Sequence, residues 1–281
     1  MKAQGLNRLP HPAAWHDPEW LAFGRSLALP SLDLPEHVGW YHRKAWEWIQ
    51  CVYGLERLGA LGPDRRALGV GAGHEPVVFY RANRMAITVA TDLYAGDFID
   101  ATAQEADPGF LADPSKYAPF PYARDRLRAL PADGRHLPFA DGTFDVVWSL
   151  SSIEHFGGHD MAALAMQEMG RVLRPGGIAA VATELILEGG THGEYFTRHE
   201  LDVWIIGPSG LVLVEPLDDT PPPRQYLDDP VPIPEDPLKT PHLVLATGDL
   251  KWTSVMLFLR KPTVRDRLAR LPRRVVRRLR R

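Results

Sequence analysis

The sequence predicts an α/β fold built on a parallel sheet, and three observations carry that prediction. From Ala67 onward, short apolar runs alternate with stretches of helical period, the pattern of strands joined by crossover helices. The first apolar run ends in a glycine-rich turn and the second ends in an acid, Asp92. The chain has 281 residues, 45% hydrophobic and 24% charged, which suffices for one large or two small domains with an ordinary core.

Taken in order, residues 1–32 are rich in Pro, His and Trp without a sustained period, and read as an irregular arm. Asp33-Leu34-Pro35-Glu36 then has the form of a capping box, so a helix is expected to start there. Val38, Tyr41, Ala45, Trp48, Ile49, Val52 and Leu55 follow at spacings of three and four, and Gly59, Gly62 and Pro63 end the run. Five of the eight Trp lie within residues 15–48, an aromatic surface that either packs on the main domain or forms a lid over a ligand. Strands are expected near 66–71, 86–91, 127–130, 144–150 and 177–183. A helix over 160–174 takes Asp160 as its cap and stops at Pro175-Gly176-Gly177. A helical stretch near 197–206 precedes strand-like runs at 211–215 and 252–260, and residues 216–241, with nine prolines, form a long irregular insertion. The chain therefore divides into an arm and helical cap (1–62), a main domain (63–262) and a basic tail (263–281).

The tail carries nine Arg and one Asp, a balance of +8, which leaves −11 on residues 1–262 against a total of −3. An acidic body is ill suited to a phosphate backbone, so no nucleic-acid partner is expected. In the tail Arg alternates with aliphatic residues, a pattern open to peripheral contact with an anionic membrane face, to an unstructured basic tail, or to binding the acidic body. No apolar run approaches the roughly 20 residues of a membrane-spanning helix and the start lacks a secretory segment, so a cytoplasmic protein is expected. The single cysteine, Cys51, rules out an internal disulfide framework.

The chemistry starts at the first strand-to-helix corner. Ala67-Leu68-Gly69-Val70 runs into Gly71-Ala72-Gly73-His74-Glu75-Pro76, and glycines there let backbone N–H groups approach a ligand at a helix N-terminus. Asp92 closes the next strand 21 residues after Gly71, where a carboxylate accepts hydrogen bonds from ribose hydroxyls. The reading is a nucleoside-type cofactor site; its bland alternative is a plain tight turn. A dinucleotide fingerprint requires Gly where this chain has Pro76, which disfavours an NAD-type oxidoreductase.

Three further stretches follow: Asp133-Gly134-Arg135-His136-Leu137-Pro138-Phe139, Gly142-Thr143-Phe144-Asp145-Val146-Val147-Trp148-Ser149, and Arg171-Val172-Leu173-Arg174-Pro175-Gly176-Gly177. With the corner and Asp92 they closely resemble the successive motifs of class I S-adenosylmethionine-dependent methyltransferases, over roughly residues 64–185. The resemblance implies a Rossmann-like seven-stranded, mostly parallel sheet whose last strand, Trp252 to Leu259, is antiparallel. It implies S-adenosylmethionine as cofactor, with Gly71 and Gly73 along the methionine part, Asp92 at the ribose, Asp133 with Gly134 at the adenine, and Ala72 and Leu93 also among the cofactor-binding residues. Ser149 joins that set. The chain departs from the family at Gly69, often acidic there, and at Glu75, often a third glycine; these keep a non-catalytic relative in play.

Methyl transfer is an in-line displacement that needs mainly positioning, and a hydroxyl acceptor gains from a base. His155, after the fourth strand, is the first candidate base, with Glu154 as its orienting or substrate-binding partner; the plain alternative is a structural histidine. No third ligand at a suitable spacing accompanies these two, so no metal is expected. Glu184, Glu188, His192, Glu194 and His199 follow the fifth strand, and line an acceptor pocket or a solvated loop; His242 is equally open. The expected activity is methyl transfer to a small, hydroxylated acceptor such as a sugar, glycan or natural product.

Overall fold

A computed structural model describes residues 5–29, 42–94, 106–234, 241–263 and 265–266. Its sheet contains β1 (Arg66–Val70), β2 (Ile87–Asp92), β3 (Leu127–Pro131), β4 (Phe144–Leu150), β5 (Leu173–Glu188), β6 (Val212–Leu213), β7 (Val231–Pro232), β8 (Leu245–Thr247) and β9 (Leu250–Arg260). The order is β3-β2-β1-β4-β5-β9-β8-β7, with β6 pairing β9 as well. β1 to β5 run parallel and β9 is antiparallel to β5. The mostly parallel sheet with an antiparallel closing strand is thus present. The strands number nine among the described residues because two- and three-residue pieces, β6 to β8, decorate the far edge.

Side chains alternate across the sheet as strand geometry requires. Leu68, Val70, Val147, Val181 and Leu257 face one layer, containing α4 (His159–Val172) and a helix over 198–209 whose middle, Leu201–Ile206, is π-helical. Ala67, Val146, Trp148, Ala180 and Phe258 face the other, containing α1 (Pro18–Ser26), α2 (Arg43–Arg57) and α3 (Pro76–Ala82). α2 lies so close to β9 that a Cβ on Gly54 would stand 2.1 Å from the Phe258 ring.

Three expectations shift. The arm is not irregular throughout: Asp17 caps α1 by accepting from the amides of Glu19 (2.9 Å) and Trp20 (3.3 Å), with Pro18 in the first turn. The nine-residue helix is too short to display a period, and it is held by burial of Trp20, whose indole N–H donates to Gln50 at 3.0 Å. β5 begins at Leu173, which pairs with Phe144 of β4, and runs through the Pro-Gly-Gly stop to Glu188, β9 supplying ladder partners from Ile178 onward. The capping box at 33–36 lies outside the described residues; α2 is capped by His42, whose Nδ1 accepts from the amide of Lys44 at 3.2 Å.

No helix among the described residues is long and apolar enough to cross a membrane. The tail, apart from residues 263, 265 and 266, lies outside them.

Candidate functional site

The carboxyl ends of β1, β2, β4 and β5 open on a cavity of about 630 Å³, where ligands of parallel α/β sheets bind. The β1–α3 corner forms one wall. Gly71 and Gly73 have φ of +60° and +44°, a left-handed backbone that favours glycine. Asp92 fixes the turn from the next strand: its carboxylate accepts from the amides of Gly73 (3.1 Å) and Leu93 (2.8 Å). Tyr94 adds a hydroxyl donated to the Gly73 carbonyl at 3.1 Å, and Ser152 donates to the Gly71 carbonyl at 2.7 Å. Gly134 is obligatory for packing, since a Cβ there would meet the Phe156 ring at 2.5 Å and the Val70 side chain at 2.7 Å.

Both departures at the corner have a structural cause. A side chain at Gly69 would lie 2.4 Å from the Trp148 indole and 2.6 Å from the Ala72 Cβ, so the indole takes that space. Glu75 turns away from the cavity toward α2, where it accepts from the Trp48 indole at 3.1 Å and pairs with Lys44 at 3.2 Å. The corner is therefore not obstructed by Glu75.

The opposite wall is polar and buried. The α2 N-terminus brings His42, Arg43 and Lys44 to the cavity. Arg43 donates to Glu184 at the end of β5, to Glu47 at 3.3 Å and to the Ser254 hydroxyl of β9 at 3.2 Å. Lys44 donates to the Leu150 carbonyl at 2.9 Å. His42 stacks on His242, ring centroids 4.2 Å apart, and burial, His242 and the two cations pull its pKa down to about 3. It is therefore neutral at physiological pH. Burial pushes the Glu184 carboxyl above its usual range, with Arg43 opposing. Burial also pushes Glu154 up to about 7, His155 opposing and Glu184 reinforcing.

Among the sequence-predicted residues, Gly71, Gly73, Asp92, Leu93, Asp133, Gly134 and His155 line this one cavity. Asp133 is held in a two-pronged pair by Arg135, with contacts of 2.9 and 2.7 Å, and that hydrogen bonding lowers its pKa. His155, partly exposed, pairs through Nδ1 with Glu194 at 3.2 Å, and both reach the cavity. Three predicted residues do not reach it. Ala72 and Ser149 are buried behind the corner and inside β4. Glu154 is buried as well, accepting from the Thr183 hydroxyl at 3.1 Å; the carboxylate that orients His155 is Glu194 instead. Of the loop residues, Glu184, Glu194 and His242 line the cavity, whereas Glu188 pairs with Lys251 and Arg224 along β5. Among the described residues no group of three or more His, Cys, Asp or Glu is arranged to hold a metal ion.

Sequence reasoning missed His42, Arg43, Lys44 and Arg135. A usable signal was present: three consecutive basic-type residues opening an aromatic helix, with Glu47 four positions after Arg43. Ser151, also on the wall, has φ of +50°, the kind of backbone strain that clusters at functional sites.

Residues 68–181 match the family model described as a methyltransferase domain. The chain is 41% identical over 76 residues to methyltransferase GfsG of Streptomyces halstedii, covering 24% of this chain and 26% of that protein. It is 32% identical over 138 residues to the 27-O-demethylrifamycin SV methyltransferase of Amycolatopsis mediterranei, covering 47% and 44% respectively. The chain thus spans about a quarter of the first relative's length and under half of the second's. In fold it resembles geranyl diphosphate C-methyltransferase of Streptomyces coelicolor, with TM-score 0.52, 16% identity, and coverage of 90% of this chain and all of that one.

Proposed function

We propose that the chain, whose residues 68–181 match a methyltransferase domain, transfers a methyl group from S-adenosylmethionine to a small, hydroxylated acceptor. The observation that carries this reading is the convergence of the Gly71–Gly73 turn, Asp92 and the Asp133–Gly134 segment on one 630 Å³ cavity, a size suited to a cofactor and part of a second ligand.

The residues fit the cofactor. Each Asp92 oxygen holds one backbone amide and retains capacity for a further donor, which suits a ribose diol. Leu93, 45% exposed at the cavity, presents apolar surface to a planar base, and the Arg135 pair keeps Asp133 ionised beside it. When bound, S-adenosylmethionine supplies an electrophilic methyl group. On the acceptor side, His155 is oriented by Glu194 as a base needs to be. His42 and His242 present stacked rings, with Arg43 and Lys44 beside them on the cavity wall. A mixed polar wall of this kind suits an acceptor with several hydroxyls, and one relative is named for an O-demethyl compound, 27-O-demethylrifamycin SV.

Calorimetric titration with S-adenosylhomocysteine tests the cofactor half. Binding is expected in the parent chain, and Asp92→Ala should weaken it roughly 10- to 100-fold, the loss of a charge-assisted partner worth about 1.5–3 kcal/mol. No binding by the parent at high micromolar concentration sinks the reading. Product analysis with a labelled methyl donor then identifies the acceptor.

A further inference from the structure

Among the described residues the buried polar wall sets more acids than cations against one another. Glu47 and Glu184 surround Arg43, Glu47 and Glu75 surround Lys44, and Glu154 interacts electrostatically with Glu47 and Glu184. All four carboxylates are buried. Four acids around two cations leave an excess that a low-dielectric site tolerates only by taking up protons or a positive ligand. Each of the four acids has one buried oxygen without a hydrogen-bond partner among the described residues, and of the four it is Glu184 that lines the cavity. Glu184 reaches the cavity, its Oε1 is held by Arg43, and its Oε2 is buried with no hydrogen-bond partner among the described residues. A buried carboxylate oxygen left in that state is costly unless something else meets it. Every other cavity-facing cation with a described ion pair is committed: Arg135 is locked to Asp133.

We propose that Glu184 is a specificity-determining residue that reads positive charge on the cofactor, so that the cationic methyl donor binds more tightly than its neutral thioether product. The inference rests on the methyltransferase reading above. Within that reading the acceptor is a neutral hydroxylated molecule, and the donor sulfonium is the ligand charge that is fixed at every pH. Loss of that charge on methyl transfer would leave Glu184 unmatched again and favour product departure. The effect acts inside a buried pair and is therefore weakly screened by salt.

Three ligands separate the possibilities by calorimetric titration of the full chain. They are S-adenosylmethionine, the stable analogue sinefungin, which carries an ammonium group near the sulfonium position, and neutral S-adenosylhomocysteine. The parent should bind the two cations at least tenfold more tightly than the thioether, equivalent to about 1.4 kcal/mol. Glu184→Gln, which keeps size and a carbonyl acceptor for Arg43, should bring the ratio within twofold while leaving S-adenosylhomocysteine affinity within twofold. Glu184→Asp should retain part of the preference, and serves if the Gln variant does not fold by circular dichroism. Equal affinity of the parent for cations and thioether overturns the proposal, as does an undiminished ratio in the folded Gln variant, or in Glu184→Asp where that alone folds. Failure of all three ligands to bind the parent overturns the underlying methyltransferase reading, and this proposal with it.

Discussion

Glu154 shows how one residue changes meaning between chain and fold. In sequence it sits beside a candidate base; in the structure it is sealed beneath the cavity, with Thr183 as its hydrogen-bond donor and burial holding its pKa near 7. The folded state therefore binds a proton that the unfolded chain releases at ordinary carboxylate pH, so stability is greatest below the unfolded value and falls as pH rises through about 7. Glu154→Gln keeps an oxygen for Thr183 and removes the titration. It should flatten the decline in chemical-denaturation stability between about pH 4.5 and 7, a difference on the order of 1–3 kcal/mol. A parent whose stability rises across that window would refute the assignment. Asp92 is the contrasting case: it was expected at a ribose, and the fold places it at the cavity, where its carboxylate accepts from the Gly73 amide.

At the scale of elements, β1 and β4 leave no room for a side chain at residue 69. The two strands pair in register, Gly69 opposite Trp148, and the indole, itself fully buried with Arg81 stacked at 4.0 Å, fills the space a side chain would need. Gly69→Ala should cost about 1–3 kcal/mol through overpacking, lowering Tm by several degrees on thermal melting. In a Trp148→Phe background the same substitution should cost less, and an additive double-mutant cycle would contradict the packing account. The strands β1 to β6 and β9, α4 and the glycine corner were readable from period and spacing, because each is specified by residues within a few positions. The short β7 and β8 fell in or beside the proline-rich stretch read as irregular. α1 was not, being a nine-residue helix whose apolar face is defined by what it packs on. The full length of β5 was not either, since its outer half depends on pairing with β9 more than sixty residues later.

Across the whole molecule the N-terminal arm belongs to the core as much as to its own segment. Arg8 exchanges backbone hydrogen bonds with Met256 at 3.1 and 3.0 Å, and the Asn7 side chain accepts from the Phe258 amide at 2.6 Å. Trp15, Trp20 and Leu27 are buried in the same cluster as Trp46 and Phe258. Full burial of such side chains is worth about 1.5–3 kcal/mol each, so the three together rival a typical domain stability of about 5–15 kcal/mol. Deleting residues 1–29 should abolish cooperative thermal unfolding, and a truncated chain that melts like the parent would show the arm to be dispensable. The sequence by itself determined the fold class, the glycine corner and the acids at the strand ends, because local period, turn chemistry and short spacings suffice for them. Only the tertiary structure decided which carboxylates are buried, which cations answer them and which acid orients His155. Those outcomes depend on partners as far apart as Arg43 and Glu184, 141 residues along the chain, and on the low dielectric that exists only once the layers have closed over them.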